Sequence, residues 1–253
     1  MAIKIKQIIH SVPYGSIFFA TWLAQHGFDS SQQYWYSKNG WLERISKGVY
    51  KIDGTDPTLY GIISSYNMQL NKKCIIGAYT ALEIRGYSHY LSLGEPTAFL
   101  FTNHTEKLPN WILNGKWDMN IRYTTTSFLG QESLGVTEME IYGFKLLVST
   151  PERAILECLN FPDVSSSLLD IYYILEGMTT LRPNLMQSLL EKCSSVKVKR
   201  LFLFMAEKAN HPWFKKLNIE KIDLGKGRRM ISSTGKYIRK YNITVPREFF
   251  EYE

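Results

Sequence analysis

Short apolar stripes separated by turn residues occupy the first part of the chain and predict two short helices. The first stripe has helical spacing and ends at the turn residues 13–15; it consists of Ile5, Ile8, Ile9 and Val12. The second stripe, within residues 16–26, consists of Phe18, Phe19, Trp22 and Leu23. Gly27 follows where a helix end favours a residue with positive φ, so the second helix is expected to end there.

A third helix and a hairpin are predicted next. Asp29 or Ser30 can cap a helix that runs to about Lys38, and the Asn and Gly at residues 39–40 end it because both tolerate left-handed backbone. Two β-prone runs, residues 41–45 and 49–52, flank a short loop that contains a glycine, which is typical of a hairpin. Three helices followed by a hairpin within residues 1–52 match a winged helix-turn-helix in order and length.

The remainder of the chain mixes predicted helices with predicted strands. After a linker at residues 56–57, helices are predicted at 59–70, 80–85, 152–160, 165–176, 183–193 and 196–210. The β-prone runs are 74–76, 97–102, 119–124, 140–149 and 242–245. The predicted fold class is therefore α+β, with an N-terminal winged helix-turn-helix followed by a larger mixed α/β C-terminal domain.

Charge is distributed unevenly along the chain, and this distribution favours a polyanionic partner. The net charge is +7; residues 1–51 carry six Lys and Arg against two acids, and residues 215–240 carry nine against two. Each phosphate that a clustered cation neutralises releases a counterion, so both segments are candidate nucleic-acid surfaces. Solvated surface charge is the alternative for the C-terminal cluster. That cluster, expected to bind a polyanion or a partner, consists of Lys226, Arg228, Arg229, Lys236, Arg239 and Lys240.

Composition excludes several classes of protein. The chain lacks both the run of about 18 apolar residues that a membrane span needs and a signal peptide, so a cytoplasmic protein without membrane contact is expected. The cysteines Cys74, Cys158 and Cys193 are far apart and odd in number, and are expected as buried free thiols. The histidines show no ligand spacing, and no glycine loop suited to phosphates precedes a helix, so no metal and no cofactor are expected.

The predicted third helix carries the candidate DNA-binding residues. It is too polar all round for a core helix, and its glutamines can present a donor and an acceptor together to an adenine in the major groove. Hydroxyls and cations of this region suit phosphates, and Lys47 lies at the tip of the predicted wing. The alternative is an ordinary exposed helix anchored by Tyr36 and by Trp35. The candidate set is Ser31, Gln32, Gln33, Trp35, Ser37, Lys38, Arg44 and Lys47.

The stretch Thr150-Pro151-Glu152-Arg153 places a carboxylate beside a guanidinium, as a catalytic loop would. A cap, a first-turn proline and an acid near the positive end of the helix dipole explain it better, so no catalytic residue is expected. Glu138, Glu140 and Lys145 are the nearest approach to a magnesium-dependent nuclease site, but their spacing along an apparent strand is uninformative. A nuclease or transferase targeted by a winged helix, and a pure protein-interaction module, remain as alternatives.

Six stretches of the chain resemble the AbiEi antitoxins of type IV toxin-antitoxin systems, which are winged-helix transcriptional regulators. They are SKNGWLERISKGVYK (37–51), GAYTALE (77–83), GYSHYL (86–91), VSTPERAILE (148–157), SVKVKRLF (195–202) and HPWF (211–214). The resemblance covers nearly the whole chain. It implies that residues 1–93, comprising a reader at 1–52 and a connecting segment at 53–93, bind DNA and repress the protein's own operon. It implies that residues 94–253 oppose a nucleotidyltransferase-like toxin encoded beside the protein.

The resemblance also implies the partners. They are double-stranded promoter DNA and, as a functional partner that need not be contacted, the toxin. A monomer in solution that binds DNA cooperatively, with a role in abortive infection and phage defence, is implied as well. One departure concerns the third helix: residues 31–35 carry no arginine, although that helix is often basic in relatives.

Overall fold

A winged helix-turn-helix occupies the first part of this computed structural model, which describes residues 2–87, 95–130, 132–161 and 168–250. Its elements are α1 (Ala2–Ser11), β1 (Ile17–Phe19), α2 (Ala20–Gln25), α3 (Ser30–Lys38), β2 (Leu42–Ser46) and β3 (Val49–Ile52). β3 pairs antiparallel with both β1 and β2, so the sheet order is β1-β3-β2. The predicted order of three helices and a hairpin is confirmed.

Residues 17–19 form a strand, and the prediction of a helix from residue 16 is wrong for them. Ile17, Phe18 and Phe19 are all buried, and they pair with residues 49–51 of β3. A short apolar run fits a buried strand as well as a helix, and only the pairing with β3 decides between them. α2 therefore begins at Ala20, and Gly27, with a φ of 84°, follows its end.

The rest of the described chain adds helices and two further sheets. The helices are α4 (Leu59–Leu70), α5 (Ala78–Ile84), α6 (Asn110–Leu113), α7 (Pro151–Asn160), α8 (Leu168–Glu176), α9 (Pro183–Lys192) and α10 (Val196–Lys208). The strands are β4 (Ile75–Ile76), β5 (Thr97–Thr102), β6 (Asn120–Thr125), β7 (Val136–Ile141), β8 (Phe144–Ser149), β9 (Arg229–Met230), β10 (Lys236–Ile238) and β11 (Ile243–Val245). Four 3-10 turns are described at Phe214–Lys216, Ile219–Lys221, Arg239–Tyr241 and Arg247–Phe250.

These elements give the predicted α+β fold class. The beginning of the helix predicted at 165–176 lies outside the described residues. None of the helices that the structure describes is long and apolar enough to cross a membrane. Cys74, Cys158 and Cys193 are free and buried, as predicted, and burial raises the pKa of each thiol.

A five-stranded mixed sheet has the order β6-β5-β4-β8-β7. β4 lies in its middle, antiparallel to β5 and parallel to β8, and β5 pairs parallel with β6. The single run predicted at 140–149 is wrong, because Tyr142 and Gly143, both at positive φ, separate β7 from β8. Glu138 and Lys145 consequently lie on different strands, where they form an exposed ion pair at 3.9 Å.

The described residues divide into two compact units, each built from several segments of the chain. The first unit contains residues 2–76, 95–125 and 138–148. The second contains residues 77–87, 126–130, 132–137, 149–161 and 168–250. The predicted boundary at residues 93–94 lies outside the described residues.

α7 forms the centre of the second unit. It packs against α5, α8, α9 and α10, and its residues 152–159 are all buried. Arg153 Nε donates to the Glu157 carboxylate at 2.7 Å, and Arg153 Nη1 donates to the carbonyls of Glu132 and Leu134. The buried charge on this helix is therefore used to hold a neighbouring loop.

The start of α7 is also held by an ion pair. Pro151 lies in the first turn, as predicted, whereas Thr150 occupies the cap position without making a side-chain capping bond. Glu152 accepts hydrogen bonds from Arg182 Nε at 3.0 Å and Arg182 Nη2 at 2.9 Å. Burial alone raises the pKa of Glu152, but the hydrogen bonds and charge of Arg182 outweigh it and hold that pKa below its ordinary value. These contacts support a structural role for residues 150–153.

Candidate nucleic-acid interface

The helices and sheet of the winged-helix segment (residues 2–52) enclose a small apolar core. Its buried members are Ile5, Phe18, Leu23, Phe28, Tyr36 and Leu42. Tyr36 anchors α3 in this core: its ring centre lies 5.7 Å from that of Phe28, and burial raises the pKa of its phenol. Trp35, the other aromatic residue considered as an anchor, is exposed.

Capping side chains fix both ends of α3, and its predicted bounds are confirmed. The Asp29 carboxylate accepts from the Gln32 backbone N–H at 2.8 Å, and the Gln32 side-chain oxygen accepts from the Asp29 N–H at 3.1 Å. At the other end, Asn39 Nδ2 donates to the Trp35 carbonyl at 2.7 Å, and Gly40 follows at a φ of 68°. The capping box uses one lone pair of the Gln32 oxygen, and the second lone pair and the Nε2 donors stay available. The predicted adenine contact by Gln32 stays a prediction.

Gln33 lies inside the winged-helix segment rather than on its surface. It is 5% exposed, and its Nε2 donates to the carbonyls of Ala20 at 3.0 Å and Phe28 at 2.8 Å. These bonds join α3 to the first residue of α2 and to the connecting loop, so they fix the orientation of the two helices. A buried amide whose donors are already used does not reach a base edge. The prediction that Gln33 reads a base is therefore wrong, and the residue positions α3.

The exposed face of α3 consists of Ser31, Tyr34, Trp35 and Lys38. Their i, i+3, i+4, i+7 spacing places them on one side of the helix. Tyr34 is 65% exposed and Trp35 is 44% exposed, and Lys38 Nζ lies 5.7 Å from the centre of the Tyr34 ring. Tyr34 is absent from the predicted set, although its spacing from Ser31 and Lys38 would have identified it. Ser37 belongs to that set but is half-buried and lies off this face.

β2 and β3 form the wing, which carries the two remaining predicted cations. Lys47 and Gly48, the latter at a φ of 70°, turn the hairpin, and Lys47 is exposed at its tip. Arg44 is exposed on β2, with its Nε donating to the Ser46 carbonyl at 3.1 Å. The Gly48 carbonyl accepts from the Ala20 N–H at 2.9 Å, so the wing is tied to the beginning of α2.

The predicted basic cluster lies on and beside a C-terminal sheet (β9–β11) of order β10-β11-β9. β11 pairs antiparallel with β10 and parallel with β9. Three of the six exposed cations contact other side chains: Arg228 contacts Thr244 and Tyr237, Lys236 lies over Phe250, and Lys240 contacts Glu207 and Tyr241. The side chains with no partner among the described residues are Lys226, Arg229 and Arg239.

A buried arginine supports the C-terminal sheet. Arg200 of α10 is 2% exposed and donates to four carbonyls at 2.7–3.0 Å, those of Leu224, Gly225, Gly227 and Asn242. Burial lowers the pKa of Arg200, and the positive charge of Arg229 lowers it further. Arg200 is absent from the predicted site residues. Its place within a helix stretch that is otherwise mostly apolar is the sequence signal for an internal role.

Comparison with protein families covers both parts of the chain. Residues 1–93 match a model described as "Transcriptional regulator, AbiEi antitoxin N-terminal domain". Residues 95–246 match one described as "Transcriptional regulator, AbiEi antitoxin, Type IV TA system". The chain belongs to the AbiEi antitoxin family. The resemblance carried by the six sequence stretches is thereby confirmed, and the two AbiEi matches meet near residue 94.

A solved structure shares the fold of this AbiEi chain. The crystal structure of the Rv2827c protein from Mycobacterium tuberculosis matches with a TM-score of 0.60 over 90% of this chain and 85% of that chain. Sequence identity is 13%, so the likeness shows the fold alone. No curated protein matches the sequence.

The AbiEi stretches fall on the elements described above. Residues 37–51 include the end of α3 and most of the wing, residues 148–157 include the start of α7, and residues 195–202 include Arg200. Part of the stretch 86–91 lies outside the described residues. Transcriptional regulation is not an enzymatic role, and in the part of the chain that the structure describes no three His, Cys, Asp or Glu residues are grouped to hold a metal.

Proposed function

We propose that the protein represses its own operon by binding double-stranded promoter DNA with α3 in the major groove. The observation that carries this proposal is the division of α3 into a buried side and an exposed face. Gln33 and Tyr36 face inward, whereas the exposed face consists of Ser31, Tyr34, Trp35 and Lys38. A winged helix of this kind offers its third helix to the major groove, which has the width to admit it. The protein then acts in the cytoplasm as a regulator rather than an enzyme, and it needs no cofactor.

The exposed face of α3 suits a mainly apolar contact with DNA. Tyr34 and Trp35 meet base edges, where the thymine methyl is the apolar group of the major groove. Lys38 and Ser31 bind phosphates, which set the register of the helix on the duplex. The wing places Arg44 and Lys47 on the flanking backbone or in the minor groove.

The proposal includes an antitoxin activity, which is supported by family membership. The protein opposes a nucleotidyltransferase-like toxin encoded in the same operon, without an obligatory contact with it. Residues 1–93 serve DNA binding and residues 94–253 serve neutralisation. A monomer in solution binds repeated half-sites cooperatively. Because β4 lies in the middle of the five-stranded sheet, a truncation at residue 94 would remove a strand from that sheet. Point variants of the full chain therefore separate the two activities better than truncations.

A mobility-shift titration on the protein's own upstream DNA and on a shuffled duplex tests the DNA contact. We expect tighter binding to the upstream DNA, and Trp35→Ala should lower that affinity about tenfold, or 1.4 kcal/mol. Lys38→Ala should weaken both duplexes alike and reduce the salt slope by about one. Lys107→Ala, at an exposed lysine outside the winged-helix segment, is the matched control. Equal affinity for the two duplexes, or wild-type binding by Trp35→Ala, would contradict the proposal.

The same variants test the division of labour when they are expressed from an independent promoter beside the toxin. Trp35→Ala should lose repression of the operon promoter and still restore growth as the wild-type protein does. Folding of the variant is checked by its thermal melting curve. A folded Trp35→Ala protein that fails to restore growth would show that neutralisation needs the exposed face of α3.

A further inference from the structure

The strands of the C-terminal sheet and the loops that connect them contain basic residues and no acidic residues. Residues 224–247 contain seven Lys and Arg and no Asp or Glu. Lys226, Arg229 and Arg239 are exposed, and their side chains have no partner among the described residues. Like charges held close together repel one another, and a polyanion that binds there relieves this repulsion. Charge therefore makes this surface complementary to phosphates.

Arg228 adds a fixed flat group to this surface. Its Nε and Nη2 donate to Thr244 Oγ1 at 3.0 and 2.8 Å, and the centre of its guanidinium lies 4.5 Å from the centre of the Tyr237 ring. Thr244 is buried, whereas Arg228 is exposed and Tyr237 is 43% exposed. The two bonds and the ring hold the guanidinium in place before any ligand arrives. Unpaired bases stack on guanidinium planes and on aromatic rings of this kind.

Arg200 holds the backbone beneath these side chains. It binds the carbonyls of Leu224, Gly225 and Gly227 on one segment and that of Asn242, just before β11, on the other. One buried side chain thus connects the loop that carries Lys226 to the strand that anchors Arg228. The contribution of Arg229 to the lowered pKa of Arg200 agrees with the crowding of positive charge at this sheet.

We propose that the C-terminal sheet is a second nucleic-acid site, which binds a single strand by stacking a base on Arg228 and pairing phosphates with Lys226, Arg229 and Arg239. This site goes beyond operator binding, which uses α3 and duplex DNA. In this site the stacking group, Arg228, is held in place, and the other cations are exposed. Stacking and charge contacts are available to any base and any phosphate, so the site should bind strands of different sequence. A single strand of RNA and one of DNA share the required chemistry, and the experiment below distinguishes them.

The geometry favours a single strand over an acidic peptide or a duplex. Thr244 accepts from the Nε hydrogen and one Nη2 hydrogen of Arg228, so the end-on donors of Nη1 and Nη2 stay free for a phosphate or a carboxylate. An acidic peptide can use these donors but has no base to stack, whereas a single strand offers both phosphates and unpaired bases that stack on a guanidinium plane. A duplex offers phosphates to the cations but keeps its bases stacked on one another, so it leaves that plane unused.

Fluorescence anisotropy of the full chain with labelled 12-nucleotide RNA, the matching DNA strand and an unrelated duplex tests the proposal over a range of salt concentrations. Arg229→Gln/Arg239→Gln should bind the single strands about tenfold more weakly at low salt, with a salt slope reduced by about 1.4, since each lost phosphate contact contributes about 0.7. Arg228→Lys keeps the charge and should lose about tenfold in affinity with an unchanged slope, because it loses the stacking plane. Lys107→Gln/Lys116→Gln, at exposed lysines outside residues 215–240, is the matched control and should bind as wild type.

Each outcome decides the question. The strand that binds more tightly, RNA or DNA, is identified as the natural ligand. Either result supports the site when the variants behave as stated. The proposal would be overturned if the double variant kept the wild-type affinity and salt slope, or if Arg228→Lys kept the wild-type affinity. It would also be overturned if the duplex bound more tightly than the single strands, or if polyglutamate displaced the strand equally well. A mobility shift of the same folded variants with the upstream DNA measures duplex binding by α3 separately. Loss of single-strand binding with an intact operator shift therefore concerns this site alone.

Discussion

The exposed face of α3 and the C-terminal sheet differ in what they expose but resemble each other in what supports them. The face of α3 offers two aromatic rings and one lysine, whereas the sheet offers six cations, three of which already have partners in the protein. Both rest on a buried polar side chain that donates to backbone carbonyls. That residue is the neutral Gln33 of α3, which binds two carbonyls, and the charged Arg200 of α10 beneath the sheet, which binds four.

This difference teaches that charge counted along a sequence is not charge available at a surface. Both segments use part of their cations for internal contacts: Arg228, Lys236 and Lys240 contact other side chains near the C-terminal sheet, and in the winged-helix segment Lys51 pairs with Glu43 and Lys38 lies over Tyr34. The two surfaces should also respond differently to solution conditions. In the proposed complexes, the apolar contacts of Tyr34 and Trp35 should be insensitive to salt, whereas the contacts of Arg229 and Arg239 with phosphates should weaken steeply as salt rises.

The largest loss of stability is expected when Arg200, the charged residue beneath the C-terminal sheet, is replaced. Arg200→Met keeps the length of the side chain but removes the donor of the Leu224, Gly225 and Gly227 carbonyls, while the Asn242 carbonyl keeps the Arg229 N–H. It should lower the free energy of unfolding by about 3 kcal/mol. Urea denaturation of the full chain measures this loss. Arg229→Met, on the exposed side of the same region, is the control and should change stability by less than about 0.5 kcal/mol. Equal losses in the two variants would remove the distinction between buried and available charge.

A smaller loss of stability is expected when Gln33, the neutral residue that positions α3, is replaced. Gln33→Leu removes the side-chain donor of the Phe28 carbonyl and the second donor of the Ala20 carbonyl, which keeps its bond within α2. It should lower the free energy of unfolding by about 2 kcal/mol. Ser31→Ala, on the exposed face, should cost less than about 0.5 kcal/mol. The measurement is again urea denaturation. A Gln33→Leu protein of wild-type stability that fails to bind the operator would restore Gln33 as a base-reading residue.

The smallest effect concerns the apolar character of the α3 face. Replacing a contacted thymine of the operator by uracil removes one methyl group and should weaken binding by about 0.8 kcal/mol at any salt concentration. Trp35→Ala should reduce this penalty, whereas Lys38→Ala, which removes only a charge, should keep it. Mobility shifts with uracil placed at each thymine in turn give the values. An undiminished penalty in both Trp35→Ala and Tyr34→Ala would show that α3 does not read thymine methyl groups.

Much of the winged-helix segment could be predicted from sequence because its signals are local. The bounds of α3 follow from Asp29 and Gly40, and the wing follows from the glycine between two β-prone runs. β1 escapes prediction because its three apolar residues become a strand only by pairing with β3, about 30 residues later in the chain. Local pattern therefore identifies elements better than it identifies pairing partners.

The candidate site was harder to predict, for the same reason. Glutamines on a polar helix suggest base contacts, but Gln33 points inward to carbonyls 13 and 5 residues away, and one lone pair of the Gln32 oxygen is used by the cap. Tyr34 could have been found from helical spacing alone. Arg200 could not be placed under the sheet from the sequence, because its partners lie 24 to 42 residues further along the chain.

The position of β4 limits how proteins of this architecture can be recombined. This strand has two residues, Ile75 and Ile76, which pair with residues 100–101 on one side and residues 147–148 on the other. A chimera joined at residue 93 would bring the middle strand of its sheet from one parent and both neighbouring strands from another. A junction at residues 53–56, ahead of α4, leaves the five strands with a single parent. Under the proposed function, promoter preference is therefore best exchanged between relatives as the winged-helix segment alone.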